Sequence, residues 1–528
     1  MPILFLCRPL RARAMLALMA SVAVVGCGML PPLPEHTPTA ALKAASDSEL
    51  VKIAERSRPA PELTGFRLMP LGSYALDTRL QLAKRTKHSL DVQYYLIQND
   101  MTGRLLMRNL RDAALRGVRV RLLVDDLYTT GGDEMFRSFA AFENVEVRLF
   151  NPFCCGRQSL SSKYVASLGD FGRLNHRMHN KLFIADGAMA VAGGRNIADE
   201  YFMRSATDNF VDMDALVVGD VVSKLQDIFD TYWNSPHVYP VQAILASDVD
   251  REELRRRFDR IVDEGEQMMA VNLPPSDILG YGPIREDLEV GRLGLVWGKA
   301  TAFADSPEKV TATSDEMARS MSVSMNVMDV IWKSREDVVI SSPYFIPGET
   351  GVLAFGDLRK RGVKITILTN SLASNDEPVV HTGYARYRVA LLKVGVDLYE
   401  LSPTRILQNK RLMFPGASLG RLHAKTAVID RSIVFIGSMN LDPRSANKNT
   451  EFGIIAECPD LAKEVIRVIH ISKLQSSYRL RFGPDGEALE WLTMDDDGEV
   501  VLVAEPDTTF FTRFQNILLA PFVPEQQL

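Results

Sequence analysis

His179, Lys181 and Asp186 stand in the run HNKLFIAD, and His423, Lys425 and Asp430 stand in the run HAKTAVID. Both runs read H-x-K-x4-D. After six further residues the first continues as GGRN, ending at Asn196, and the second as GSMN, ending at Asn440. These residue types have complementary chemistry. An imidazole can attack an electrophile, accept a proton or return one. An ammonium group or a carboxamide can stabilise developing negative charge. Asn196 and Asn440 recur at one offset from Asp186 and Asp430, which marks them as more than turn formers.

The elements that must position these residues repeat as well. SLDVQYYLI (89–97) reads as a buried strand, RLLMRNLRDAALRG (104–117) as a helix and VRVRLLVDD (118–126) as a second strand. DVVISSPYFI (337–346), GVLAFGDLRKRG (351–362) and VKITILTNS (363–371) match them in order. Gly117 and Gly362 suit left-handed helix ends. A near-constant offset across separate segments marks an internal duplication of one α/β unit with parallel βαβ crossovers. In an extended chain residues two apart share a face, so each His projects with its Lys. The motif strands continue into AVAGG and VFIGS, which read as hairpins turned at Gly187 and at Arg431-Ser432.

The remaining chain sets bounds. Arg8, Arg11 and Arg13 precede an apolar run, Ala14 to Val25, too short to span a bilayer comfortably. The run ends in VVGC, which resembles a bacterial lipobox with Cys27 as the lipidated residue. Pro31, Pro32, Pro34 and Pro38 suit an extended, unpacked tether. Loss of residues 1–26 would take the formal net charge from −5 to −8, and that balance does not favour a nucleic-acid partner. Cys154, Cys155 and Cys458 form no disulfide framework or zinc spacing and read as buried thiols. The expected organisation is a signal peptide (1–26), a Pro-rich tether (27–60), an N-terminal lobe (61–240), an inter-lobe region (241–320) and a C-terminal lobe with its tail (321–528). The tail segment TTFFTRFQNILLAPF (508–522) is expected to be an amphipathic helix packed on the body.

The doubled H-x-K-x4-D-x6-G-[GS]-x-N pattern resembles that of the phospholipase D superfamily. RMHNKLFIADG, VAGGRNIADEYF, YWNSP, HTGYARYRVALLKVGVDLYE, LHAKTAVID and FIGSMNLDPRS are similar to stretches of the bacterial C-type cardiolipin synthase group. The resemblance implies an α/β fold of two homologous α/β/α sandwich lobes related by a pseudo-twofold axis, with additional helices. It implies that both histidines meet at one phosphodiester, His179 as nucleophile and His423 as acid and base, with the reverse order left open. Lys181, Lys425, Asn196 and Asn440 would bind the phosphate oxygens.

Glu451 is the expected carboxylate of the second half, 28 residues after His423. Asp212 is its counterpart in the first, with Asp214 as the fallback. Asp186 and Asp430 are expected to brace the motifs. His381 is expected as a possible pocket residue, and Tyr95 and Tyr344 as walls. His36, His88, His176, His237 and His470 have structural or surface readings.

Neither a metal nor another cofactor is implied. The expected activity is a membrane-associated phosphatidyltransferase making cardiolipin from a phospholipid donor and a phosphatidylglycerol-type acceptor. Alternatives are a phosphodiesterase releasing phosphatidic acid, a nuclease or a non-catalytic envelope lipoprotein. The expected setting is a lipid-anchored, periplasm-facing protein of the bacterial envelope, functional as a monomer.

Overall fold

The computed structural model describes residues 30–35, 37–264, 273–408, 419–495, 498–519, 521 and 524–525. The signal-like segment, Cys27 and His36 lie outside the described residues. In the first lobe the strands Ser89–Tyr94, Arg119–Asp125 and Val145–Phe150 pair in parallel. Leu182–Ala185 closes antiparallel on Ser89–Tyr94, and Met189–Gly193 and Asp214–Gly219 follow antiparallel. The second lobe repeats this plan. Asp337–Ser341, Lys364–Asn370 and Asp397–Leu401 are parallel, with Thr426–Ile429, Ile433–Gly437 and Phe452–Glu457 antiparallel beyond them.

Local chemistry ends the crossover helices, at both ends of Met101–Leu115 and at the C-terminal end of Gly348–Lys360. The Asp100 side chain accepts from Gly103 N–H at the start of Met101–Leu115. Gly117 and Gly362 follow their helices at φ 95° and 88°, a conformation costly for residues with a Cβ.

One strand couples the lobes. Val296–Ala304 pairs through Val296, Trp297 and Gly298 with Thr64–Met69, and through Lys299 to Ala304 with Phe452–Glu457. By its place in the repeat it is the second lobe's counterpart of Thr64–Met69. The expected inter-lobe region 241–320 therefore contains a strand of the second lobe. Three large apolar cores follow from this layering among the described residues, beside a small cluster of Leu127, Phe153 and Leu174. One lies under the outer helices of the first lobe and one under those of the second. The central core is shared, joining Phe66, Val217, Phe229 and Trp233 to Ile436, Ile454 and Val465.

Three further expectations are corrected. The segment read as an unpacked tether over 27–60 is packed from Thr39 onward. Thr39 N–H donates to Asn234 and Ala41 N–H to Asp230, and Leu50, Val51, Ile53 and Ala54 of the helix Glu49–Ser57 are buried. Apolar periodicity there supplies a face that the first lobe covers. The tail helix Phe510–Leu519 forms and rests on the body against Pro378–Ala385, where Asn516 Nδ2 donates to Pro378 C=O, but with its apolar face outward, Phe510, Phe511, Phe514 and Leu518 being 53–76% exposed. None of the three described cysteines is in a disulfide; Cys154 and Cys155 are half-buried and Cys458 is buried.

The motif aspartates sit at the hairpin turns. Asp186 and Gly187 have φ 50° and 62°, and Asp430 and Arg431 have φ 48° and 53°, a pairing of positive values that suits tight hairpin turns. Asp186 accepts from Ser48 Oγ, Thr86 Oγ1 and the backbone N–H groups of Lys87, His88 and Ser89. Asp430 accepts from the N–H groups of Arg335, Glu336 and Asp337. Burial opposes ionisation of Asp186, but the bonds from Ser48, Thr86 and the backbone hold it below the usual carboxylate range. Each Asp thus ties its hairpin to the loop entering the first strand of its lobe. Asp186→Ala leaves several buried donors unpaired, and we expect a loss of roughly 3 kcal/mol or more, read as a lower urea midpoint. An unchanged midpoint would remove the bracing role.

Candidate active site

Each motif enters its strand through an extended run that pairs with the other lobe. Met178 bridges Thr450 in parallel, and His179 N–H donates to Thr450 C=O at 2.8 Å. The strand Leu419–Leu422 pairs in parallel with Asp208–Val211, and His423 N–H donates to Val211 C=O at 2.7 Å. The next residue on each partner segment is a carboxylate, Glu451 or Asp212. Backbone register therefore carries each carboxylate to the histidine of the opposite lobe.

The side chains follow that register. His179 Nδ1 lies 3.1 and 3.0 Å from the two Glu451 oxygens. His423 Nδ1 lies 2.5 Å from Asp212 Oδ2. Sequence reasoning placed each carboxylate beside the motif of its own half, and the structure exchanges them. The fallback Asp214 is committed elsewhere, buried between Arg79 and Arg195. With Nδ1 of each ring donating to a carboxylate, Nε2 keeps its lone pair for a reacting atom.

The surrounding walls are apolar and close. Tyr95 stands edge-on to His179 with ring centres 5.0 Å apart, and Tyr201 and Phe210 stand 5.0 and 5.1 Å from His423. Tyr95 thus takes the wall position expected of it. Tyr344 donates to Asp376 at 2.8 Å. Lys181 and Lys425 are buried, and each ammonium group donates to the C=O of its own motif histidine at 2.6 and 2.7 Å. Asn196 Nδ2 donates to Tyr201 OH. The Oδ1 atoms of Asn196 and Asn440 are buried without a partner.

The electrostatics belong to one site. Burial lowers His179 to about 4, with Lys181 and Lys425 adding to the shift against Glu451. Burial, then Lys425, lowers His423 to about 3 against Asp212, and Lys181 adds to it. Burial holds both lysines below the usual range against Glu451 and Asp212, and Lys425 adds to the lowering of Lys181. The Asp212 carboxyl stays well below its usual range despite burial, because His423 and Lys425 face it. The ligand-free pair of rings is therefore neutral at pH 7, in a cationic cradle that an anion would discharge.

Several contributors escaped the sequence reading. Ser438 and Ser445 hydroxyls donate to Glu451, and Glu451 N–H donates to Asp305, itself paired with buried Lys309. Ser438 is the second residue of GSMN, where the first lobe has Gly194. A Cβ on Gly194 would stand 2.7 Å from Asp212 Oδ1. The G-G against G-S difference thus reports which carboxylate lies behind each motif.

His381 is not brought to the motifs by any contact described. Its ring packs on Tyr384, 5.7 Å between centres, and offers a nitrogen within 4.8 Å of oxygens of Glu400 and Glu505. Arg388 already bridges those two carboxylates. His237 pairs with Glu308 and His88 with Asp47. His176 Nδ1 lies 2.9 Å from Gly172 C=O.

Comparison with known proteins gives a consistent result. The family described as cardiolipin synthase, PLD-like domain, matches residues 80–233 and 327–470. The chain is 39% identical over 472 residues to cardiolipin synthase C of Escherichia coli K12, covering 86% of this chain and 94% of that one. An uncharacterized protein of Helicobacter pylori 26695 is 32% identical over 471 residues, covering 87% and 89% of the two chains. Among solved structures, phosphatidylserine synthase of Haemophilus influenzae Rd KW20 superimposes with a TM-score of 0.54 at 12% identity. It covers 90% of this chain and all of that one, which is a likeness of fold. No helix among the described residues is long and apolar enough to cross a membrane.

Proposed function

The chain belongs to the phospholipase D superfamily, in its cardiolipin synthase-like branch, and we propose that it moves a phosphatidyl group through a histidine-linked intermediate to a phosphatidylglycerol-type alcohol, giving cardiolipin. It is a phospholipase D-type phosphatidyltransferase. The observation that carries the finer reading is the pair of imidazole–carboxylate contacts exchanged between lobes, with Lys181 and Lys425 between them.

In the first step the Nε2 lone pair of His179 attacks phosphorus. The bond from phosphorus to the head-group oxygen breaks, and that oxygen takes a proton from His423. In the second step His423 removes the hydroxyl proton of the acceptor. The acceptor oxygen attacks phosphorus, the P–N bond breaks, and His179 is restored. Lys181, Lys425, Asn196 and Asn440 face the non-bridging oxygens, the lysines neutralising them and the amides donating. Glu451 and Asp212 hold the tautomers and steady the imidazolium forms. Asp186 and Asp430 brace and move no proton.

The neighbours of the two histidines support this order. His423 has the shorter carboxylate contact, 2.5 Å against 3.0 Å. In the ligand-free site burial, and then the lysines, outweigh that contact and keep His423 the lower of the two. A bound phosphodiester anion offsets the lysines and leaves the carboxylate to decide, favouring the imidazolium on His423.

The site is complete within one chain, so a monomer suffices. The branch is one of bacterial membrane-associated proteins, and acylated Cys27 is our choice for the attachment, facing the periplasm. The test uses vesicles of phosphatidylethanolamine and phosphatidylglycerol with product lipids read by mass spectrometry. Cardiolipin is the expected product. Phosphatidic acid alone, at every acceptor concentration, would replace the transferase reading with hydrolysis.

A further inference from the structure

A cavity of about 460 Å³ opens beside the second motif. Its wall contains Asn440 and Asp442, and its remaining lining is largely apolar, with Met325, Met328, Phe345, Phe355, Met439 and Leu441. Asn440, assigned above to the phosphate oxygens, lines the cavity, so the apolar space adjoins the proposed phosphate site. Burial pushes Asp442 up to about 7, so its charge in the wall is partial at neutral pH. Met325 marks the solvent end, 62% exposed.

The duplication supplies an internal control. The bridges Ile97–Ile197 and Phe345–Leu441 occupy the same place in the two lobes. Beyond the first, Thr102 N–H and Oγ1 donate to Asp199, and Asp199 N–H donates to Asp100, which stitches the crossover helix to the motif turn. Beyond the second, the crossover helix start at Gly348 to Gly351 and the motif turn at Asp442 and Pro443 line opposite parts of the open cavity. The motif residue before each Asn also differs. Arg195 is fully buried against Asp214, whereas Met439 lines the cavity. The two lobes thus share catalytic residue types and differ in what adjoins them, polar closure in one and apolar space in the other.

We infer that this cavity holds one fatty acyl chain of a phospholipid whose phosphate lies between the motif histidines, and that Met325 and Met328 set acyl-chain preference. The inference rests on the phospholipid reading above. A phosphate ester with an apolar tail matches a polar cradle continuous with an apolar cleft of ligand size. A nucleic-acid backbone, polar along its length, would gain nothing from the cleft.

Two variants test it, Met325→Trp at the rim and Met328→Trp inside, neither in the motif machinery. Turnover of dihexanoyl and dioleoyl phosphatidylglycerol is measured in mixed detergent micelles. The expected result is a loss of about tenfold or more in kcat/KM for the dioleoyl donor, with the dihexanoyl donor little affected. An unchanged ratio of the two donors in both variants would overturn the inference, including the case where both activities fall together. A second measurement does not need turnover. Phosphatidylglycerol with a diazirine near the acyl terminus is photolysed with the parent protein, and labelled peptides are identified. Label within 324–328 or 345–355 supports the cavity, and label confined to other segments rejects it. A parent that turns over neither donor while labelling these peptides would sink the proposed activity and leave the lipid site standing.

Discussion

His179→Ala is expected to lower kcat by about 10⁴-fold or more, because it removes the proposed nucleophile and leaves His423 with the acid and base work. His423→Ala is expected to be as damaging with a natural head group, whose alkoxide cannot depart without a proton. The two variants separate when the donor carries a nitrophenyl leaving group. Nitrophenolate departs unprotonated, so His423→Ala should still give a burst of nitrophenol and a labelled, acid-labile protein. His179→Ala should give neither. The opposite pattern would reverse the assigned roles. Near-parent activity in either variant with a natural donor would end the shared-site mechanism, since each ring is the sole imidazole of its lobe in this cluster.

Glu451→Gln and Asp212→Asn are expected to cost roughly 10²- to 10⁴-fold each, by loosening tautomer and orientation without removing a ring. The structure adds a sharper expectation, because the carboxylates are exchanged between lobes. Glu451 faces His179 at 3.0 Å, and Asp212 faces His423 at 2.5 Å. Asp212→Asn should therefore resemble a loss of the acid and spare much of the nitrophenyl reaction. Glu451→Gln should weaken the nucleophile and impair both donors. If Asp212→Asn suppresses the nitrophenyl burst while Glu451→Gln leaves it intact, each carboxylate serves the histidine of its own half, and the crossed arrangement is wrong. Folding is checked alongside by thermal unfolding, as both carboxylates are buried.

Residue order alone was enough for the parts governed by local rules. The strands and crossover helices were readable because burial alternates or recurs over a few residues, and glycines such as Gly117 and Gly362 stand where φ must be positive. The motif pattern was readable because spacing along an extended run fixes which side chains share a face. It also gave the tail helix but not its packing, since apolar periodicity states that a face exists and not what covers it. Phe510 and Phe514 are exposed, whereas the equally periodic helix at Glu49–Ser57 is buried.

Which carboxylate faces which histidine depends on how the two lobes pack. Asp212 and Glu451 each follow a motif of their own half, so sequence offset favours pairing within a lobe. The parallel pairing of Leu419–Leu422 with Asp208–Val211, and the bridge from Met178 to Thr450, join segments more than 200 residues apart. That register sets the exchange. The same holds for the cavity beside Asn440 and for the removal of His381 into a separate cluster with Glu400 and Glu505. Contacts of this kind follow from how two packed lobes meet, and spacing within one lobe carries no record of its partner's surface.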